Sequence, residues 1–147
     1  MSSLCAGIDV VEIDRVEKAL KHHPERFLER LYTPLEIAYC HGRVRELAAR
    51  FAAKEATMKA LGTGIRGVGW RDIEVLPDRR GKPLIYLHGR AKERAKAIGM
   101  GQAEVSLTHG VAVAFAVVVA PRDGPPIDYQ DAREALIERL RRRGWWS

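Results

Sequence analysis

This chain is short of cysteine, of long apolar runs and of sequence repeats, and each shortage excludes a class of protein. Its two cysteines, Cys5 and Cys40, are too few for a disulfide framework and form no metal-ligand pattern, so we expect reduced thiols in the cytoplasm. The apolar run at 111–120 is too short to cross a bilayer, and acidic residues among positions 9–14 argue against a signal peptide. No membrane span, disulfide scaffold or repeat array is therefore expected.

The composition that is present is typical of one small basic domain. At 147 residues with 46% hydrophobic content, the chain is long enough for one packed core and short for two. Its net charge of +6 favours polyanionic partners such as nucleic acid, acidic proteins or phosphorylated cofactors. The first 120 residues contain neither a basic stripe interleaved with aromatics nor a recognisable nucleic-acid-reading module, so nucleic acid is not favoured. A non-enzymatic basic module stays open as the competing class.

Hydrophobic periodicity and turn residues predict an α+β fold. The predicted strands are 5–11, 73–76, 84–87, 103–109 and 112–119. The predicted helices are 12–22, 24–31, one that starts at the capping box Thr33-Pro34-Leu35-Glu36, 46–61 and 90–98.

A carboxylate lies on the apolar side of the longest predicted helix. At 100° per residue, five apolar positions form one stripe, and Glu55 lies inside it: Leu47, Ala48, Phe51, Met58 and Leu61. A carboxylate against an apolar wall is normally paired, protonated or bound to a metal. An ion pair with Lys59, or with a basic group elsewhere, is the alternative to a functional role.

A second acid, Asp9, interrupts the short apolar run Cys5–Val11, where aspartate is normally depleted. It could cap the strand or pair with a lysine. If Asp9 and Glu55 converge, two charges about 4 Å apart repel by roughly 4 kcal/mol at an effective dielectric near 20, and a cation between them removes the conflict. Two carboxylates suit Mg²⁺, which keeps several waters and takes further ligands from substrate phosphates.

Phosphate-binding residue types surround this helix. Arg50, Lys54 and Lys59 supply cations, although a solvated basic face is the simpler explanation. The run Gly62–Gly67 matches the dinucleotide fingerprint G-x-G-x-x-G, but it follows a helix rather than opening one, so we reject that match. Gly62 is better explained as the cap at the carboxyl end of the helix.

A third group of polar residues, Ser106, Thr108 and His109, precedes the last predicted strand. Ser106 and Thr108 share one strand face by period two, and His109-Gly110 is typical of a hairpin tip. A histidine that only serves the turn is the alternative. No Ser-His-Asp hydrolase is indicated, because Ser106 lacks a nucleophile-elbow context.

Taken in order, these segments resemble the holo-acyl-carrier-protein synthase family of 4′-phosphopantetheinyl transferases, in its short trimeric bacterial form. The resemblance covers roughly residues 4 to 120 and rests on Gly7-Ile8-Asp9, Arg50 to Ala56 with Lys59-Ala60, Gly62-Thr63-Gly64, Gly81-Lys82-Pro83 and Ser106-Leu107-Thr108-His109. It implies a small antiparallel sheet packed against a long central helix. It also implies transfer of phosphopantetheine from coenzyme A to a serine of an apo-acyl-carrier protein, with release of adenosine 3′,5′-bisphosphate.

The resemblance also assigns roles to individual positions. Asp9 and Glu55 match the metal-binding acids, which are expected to hold Mg²⁺, and Arg15 matches a position facing the acidic carrier protein. Positions matching contacts to coenzyme A phosphates, or their neighbours, are Arg50, Lys59, Gly62, Thr108 and His109. A homotrimer with active sites between subunits is implied as well.

The proton of the attacking serine needs an acceptor. Glu55, directly or through a metal-bound water, is the better candidate, and Lys54 is the weaker one. The sequence does not choose between them.

Beyond the domain 1–120, residues 121–147 depart from the family pattern. The run 121–126 has the composition of a linker, and 129–143 is predicted to be a basic amphipathic helix that Asp128 could cap. Ala132, Leu136 and Leu140 share one face of this helix. Its arginine-rich end with Trp145 and Trp146 could meet a membrane surface, nucleic acid or a partner groove, or the helix could pack on its own domain or a neighbouring subunit.

Overall fold

The computed structural model describes residues 3–123 and 130–147. Its strands are Ser3–Glu12 (β1), Ile73–Pro77 (β2), Pro83–Leu87 (β3), Glu104–His109 (β4) and Val113–Arg122 (β5). Its helices are Ile13–His22 (α1), Pro24–Leu31 (α2), Pro34–Cys40 (α3), Val44–Leu61 (α4), Gly89–Ile98 (α5) and Gln130–Arg142 (α6), with a short 3-10 helix at Trp70–Asp72. The predicted α+β fold is confirmed.

The five strands form one sheet in the order β1-β5-β4-β3-β2, and every pairing is antiparallel. The longest pair, edge strand β1 with β5, runs in register from Ser3 opposite Arg122 to Glu12 opposite Val113. The β4–β5 hairpin turns at Gly110, whose N–H donates to the carbonyl of Val113 at 2.9 Å, as predicted. The sheet therefore places the start of the chain beside its last strand.

Helix α4 packs on the inner face of this sheet and is buried on almost every side. Its buried residues include Ala49, Arg50, Ala52 and Ala53 in addition to four of the five predicted apolar positions, while Phe51 is half-buried. The prediction of a single apolar stripe is therefore wrong, because β1 and β5 cover one side of the helix while α1, α3 and β2 contact others. Glu55 is half-buried at the edge of this packing and does not face the core.

Close contact between β1 and α4 depends on Gly7. A Cβ atom at Gly7 would lie 1.8 Å from the carbonyl oxygen of Ala56 and 3.0 Å from the nitrogen of Ala60. Both distances are too short for a side chain, so only glycine lets the strand approach the helix backbone this closely. Two residues after Gly7 on the same face of β1, Asp9 is carried onto α4.

Two helix ends match their predicted signals. The hydroxyl of Thr33 accepts from the N–H of Glu36 at 3.3 Å, and the Glu36 carboxylate accepts from the N–H of Thr33 at 3.0 Å, which completes the capping box of α3. Gly62 ends α4 in the left-handed region with φ 73°. The glycine-rich loop thus follows the carbonyl end of a helix, as expected for a run that is no dinucleotide fingerprint.

The C-terminal segment departs from its prediction in one respect. Pro121 and Arg122, which composition assigned to a linker, belong to β5, because β1 still pairs with them beyond Val119, where the pairing of β4 with β5 ends. Residues 124–129, including the rest of that linker, Asp128 and Tyr129, lie outside the described residues. Helix α6 exposes Leu136, and Trp145 and Trp146 behind it are exposed as well. Among the described residues, no helix is long and apolar enough to cross a membrane.

Candidate active site

The two predicted acids converge. Asp9 points inward from β1 with only 10% of its side chain exposed, and its carboxylate lies close enough to Glu55 on α4 to raise the pKa of that residue. Lys59, one turn further along α4, places its Nζ 3.1 Å from Oδ1 of Asp9 and donates to the carbonyl of Ile8 at 2.8 Å. Asp9 is thus both a partner for a lysine and a neighbour of Glu55.

The surroundings of Glu55 oppose its ionisation. Burial raises the pKa of Glu55 to about 7, and hydrogen bonding to Asp9 and its charge add to the rise, against the opposing effect of Lys59 and Arg15. Oδ2 of Asp9 is buried and has no hydrogen-bond partner among the described residues. An unsatisfied buried carboxylate oxygen beside a second carboxyl group is the environment that a bound cation satisfies.

The two carboxylates suit a cation whose other ligands are water molecules and substrate oxygens. Within the ranges that the structure describes, no group of three or more His, Cys, Asp or Glu side chains is placed to hold a metal ion. Two carboxylates would leave the remaining positions to water and phosphate oxygens, which is the usual arrangement for Mg²⁺. The residues present therefore fit the predicted metal.

Glu55 opens onto a cavity of about 520 Å³ between α1, α2 and α4. Its lining includes Arg15, Phe27 and Phe51. A second cavity of about 350 Å³ shares Ala19 and Phe27 with the first. It is also lined by His23, Arg26, Arg30, Leu31 and Trp70. The two cavities adjoin at the two shared residues, and we call them together the docking groove, which has apolar side chains and arginines in its lining.

The far half of the docking groove was not predicted from the sequence. Arg26 and Arg30 are four residues apart on α2, so they lie on one side of that helix next to Phe27. That spacing was visible in the sequence. The contribution of Trp70 was not, because it depends on how the 3-10 helix packs: its ring stacks on Phe51 with centroids 5.1 Å apart.

A second cluster lies near the other end of α4. Nη1 of Arg50 is 2.7 Å from the carboxylate of Glu46, and its Nε donates to the carbonyl of Val75 at 3.2 Å. Nε2 of His109 lies 3.9 Å from the same Glu46 carboxylate, and Thr108, the preceding residue of β4, is exposed. The Glu46–Arg50 spacing of four residues was an available signal for this pairing.

The single chain therefore divides the predicted coenzyme A contacts into two groups. Arg50 and Glu55 are five residues apart on α4, which separates them by about 140° around the helix. Lys59 and Gly62 lie on the Asp9 side or at the adjoining helix end, whereas Arg50 contacts Glu46 near Thr108 and His109. One copy of the chain does not bring the two groups together.

Lys54 is not in the docking groove. Its side chain is fully buried, and its ammonium donates to Glu36 at 2.7 Å, to the carbonyl of Trp70 at 3.1 Å and to the carbonyl of Ile73. Burial lowers the pKa of Lys54, while Glu36 opposes that shift. With three donors directed into the core, this placement does not support Lys54 as an acceptor for a substrate proton.

The sequence and fold match a known class of enzyme. The sequence model of the 4′-phosphopantetheinyl transferase superfamily matches residues 5–116, and the chain belongs to that superfamily. Within it, the chain belongs with the holo-[acyl-carrier-protein] synthases, as the following relatives show. The predicted family, fold and enzyme class are thereby confirmed.

Sequence and structure relatives agree. A holo-[acyl-carrier-protein] synthase of Moorella thermoacetica is 50% identical over 117 residues, which are 78% of this chain and 91% of that protein. One of Herpetosiphon aurantiacus is 45% identical over 123 residues, covering 79% and 97%. The crystal structure of the Helicobacter pylori synthase in complex with coenzyme A shows 37% identity and a TM-score of 0.72, covering 78% of this chain and 98% of that one.

Proposed function

We propose that this protein transfers 4′-phosphopantetheine from coenzyme A to a serine of an apo-acyl-carrier protein, in a reaction that depends on Mg²⁺ and releases adenosine 3′,5′-bisphosphate. The observation that carries the proposal is that Asp9 and Glu55 converge beside a groove. Lys59 joins them there by donating to Asp9 and to the backbone of β1. The similar synthase of Helicobacter pylori was solved with coenzyme A, which supports that compound as the donor.

Asp9 and Glu55 are the residues that would hold Mg²⁺. When bound there, the ion would neutralise charge on the diphosphate of coenzyme A. Lys59 adds a positive charge at the same place, and Oδ2 of Asp9, which has no hydrogen-bond partner among the described residues, would become a ligand of the ion. Arg50, Gly62, Thr108 and His109 are proposed to contact the phosphates or lie beside them.

Glu55 is proposed to accept the proton of the attacking serine. The serine oxygen forms a bond to the β-phosphorus, the bond from that phosphorus to the bridging oxygen breaks, and adenosine 3′,5′-bisphosphate leaves with the electron pair. The carboxylate of Glu55 is half-buried and lines the cavity that the serine would enter. Its position at the mouth of the docking groove allows a serine to reach it.

A second copy of the chain is proposed to complete the site. Coenzyme A would span Asp9 and Glu55 of one subunit and Arg50, Thr108 and His109 of its neighbour, since a single chain separates these groups. The outer face of β1 and β5 exposes a row of apolar residues suited to such an interface: Leu4, Ile8, Val10, Phe115, Val117 and Val119. We propose the homotrimer of the family, and a solution mass corresponding only to monomer at micromolar concentration would contradict it.

The carrier protein is proposed to dock in the groove that ends at Glu55. Arg15, Arg26 and Arg30 place positive charge around an apolar floor, which suits an acidic protein surface with an apolar centre. Screening by salt should weaken this association. Cys5 and Cys40 are both buried and free, which fits the reducing cytoplasm proposed for such an enzyme.

A direct test is to incubate the protein with apo-carrier protein, coenzyme A and Mg²⁺, and to detect the phosphopantetheine adduct by mass spectrometry. The adduct should form with Mg²⁺ and disappear with a chelator. Failure with several carriers, together with salt-sensitive RNA binding, would favour the competing function of a non-enzymatic basic module.

A further inference from the structure

The transfer reaction leaves one conspicuous group of charges unused. Lys54 and Glu36 form an ion pair of 2.7 Å in which both side chains are 0% exposed. A buried ion pair is costly to desolvate and frequently contributes little to stability compared with an apolar pair of similar volume. Its position next to the proposed active site therefore points to a role beyond holding the fold together.

Lys54 reaches the segment that builds one wall of the docking groove. Its ammonium donates to the carbonyls of Trp70 and Ile73, which are the first residue of the 3-10 helix and the first residue of β2. The Trp70 ring then stacks on Phe51, at 5.1 Å between centroids and 21° between planes. Phe51 and Trp70 line the two halves of the groove.

Glu36 holds the other side of the same arrangement. Its carboxylate accepts from the N–H of Thr33 at 3.0 Å and from the N–H of Val75 at 3.0 Å, in addition to the ammonium of Lys54. The pair thus ties α3, α4, the 3-10 helix and β2 together at one buried point. Lys54 directly precedes Glu55 in the chain. The hydrogen bond from Lys54 to the carbonyl of Trp70 therefore starts one residue away from the proposed proton acceptor.

We propose that Lys54 is a positioning residue for carrier-protein recognition: anchored by Glu36, it fixes the Trp70–Phe51 stack and so sets the affinity of the docking groove for the carrier protein. This inference rests on the proposed function, because the carrier is the occupant of the groove. It assigns Lys54 no part in the bonds that form and break. The effect of removing it should therefore fall on carrier binding and not on the chemical step.

The test compares Lys54→Met with Thr57→Val. Methionine keeps the length of the side chain without its ammonium, while Thr57→Val removes a buried hydrogen bond of the same helix, from Thr57 to the carbonyl of Ala53 at 2.7 Å, that does not touch the groove wall. We expect Lys54→Met to raise KM for apo-carrier about tenfold, with kcat and KM for coenzyme A changed less than about threefold. Thr57→Val should leave KM for the carrier unchanged.

Two further variants keep the inference testable if Lys54→Met fails to fold. Lys54→Met/Glu36→Leu replaces the pair by apolar side chains and leaves no unpaired buried charge, yet it still removes the anchor of Trp70. Trp70→Leu leaves the ion pair in place and removes the stack. Both should raise KM for the carrier as Lys54→Met does, whereas an unchanged KM in either would overturn the inference. A loss confined to kcat in the Lys54 variants would equally overturn it, by placing Lys54 in the chemistry.

A readout that needs no activity separates this inference from the proposed function. With 5-fluorotryptophan incorporated, the ¹⁹F signal assigned to Trp70 through Trp70→Phe should shift or broaden in Lys54→Met and stay in place in Thr57→Val. If the unaltered protein forms no adduct while this signal still responds, the proposed function fails and the anchoring of the wall stands. If the Trp70 signal does not change in Lys54→Met, Lys54 does not anchor Trp70.

Discussion

Two neighbouring charged residues of α4, Lys54 and Glu55, lie in opposite environments. Lys54 is fully buried, and its ammonium has three acceptors in the core. Glu55 is half-buried in the docking groove, and the acid beside it, Asp9, has an oxygen without a partner among the described residues. The comparison shows that burial alone does not mark a reactive group: a satisfied buried charge organises structure, whereas an unsatisfied one at a groove is ready for a ligand.

The strongest test of this contrast is Glu55→Gln. The amide is similar in shape but cannot ligate Mg²⁺ as a carboxylate or accept the serine proton, so we expect transfer to fall by roughly a thousandfold or more. Mass-spectrometric adduct formation over time measures the rate, and the thermal midpoint checks that the fold is intact. Near wild-type turnover would remove Glu55 from the mechanism.

In the core, Glu36→Gln should lower the stability of the fold and leave the chemical step unchanged. It leaves the ammonium of Lys54 buried without its anion, and we expect a loss of about 3 kcal/mol in the free energy of unfolding, measured by urea denaturation. The matched change in the groove is Asp9→Asn. It should change the free energy of unfolding by less than about 1 kcal/mol, while the Mg²⁺-dependent transfer activity is lost. Equal destabilisation by both variants would break the distinction between the two sides.

Gly7→Ala tests the packing that brings the groove acids together. Because the new Cβ would lie 1.8 Å from the carbonyl oxygen of Ala56, β1 must move away from α4, at an expected cost of about 2 kcal/mol. Gly110→Ala is the control, since a Cβ there would meet nothing within 4 Å. Calorimetric unfolding of both variants gives the comparison, and equal stability would show that the close approach is unimportant.

The smallest effect should be the pH dependence that Glu55 contributes without metal. Its pKa is raised from 4.5 to about 7, so the folded state binds a proton that the unfolded state has lost, and this contribution to stability is full below about pH 4.5 and disappears as pH rises through 7. The difference in stability between pH 5 and pH 8 should therefore be smaller in Glu55→Gln. Saturating Mg²⁺ should lower the pKa of Glu55, as ¹³C NMR of its carboxyl group would show. An unshifted pKa near 4.5 without metal would contradict the close pairing with Asp9.

The helices and strands were largely predictable because their signals are local. The capping box at Thr33, the glycine that ends α4 and the hairpin at Gly110 each depend on a few adjacent residues. The burial of α4 was not predictable in the same way. Its many alanines are compatible with either a surface or a core, so the pattern showed one stripe where the structure buries almost the whole circumference.

The candidate site was predictable in its chemistry and not in its geometry. Residue types at Asp9, Glu55 and Lys59 indicated either ion pairs or a site for a metal and a phosphate, since a carboxylate within an apolar segment needs a partner. Their meeting needed Gly7, whose importance is visible only against the backbone of Ala56. Lys54 shows the converse: its type suggested a proton acceptor, but its contacts 16 to 19 residues away made it a structural anchor.

Along the chain alone, hydrophobic periodicity and turn residues indicated the α+β class, and the motifs in their order carried the resemblance to a family and, through it, to a kind of reaction. Which acids face each other, which lysine is buried and which side of α4 becomes a groove followed from packing between elements distant in sequence. Those outcomes depend on contact distances of a few ångströms between strand and helix, and no local pattern encodes them.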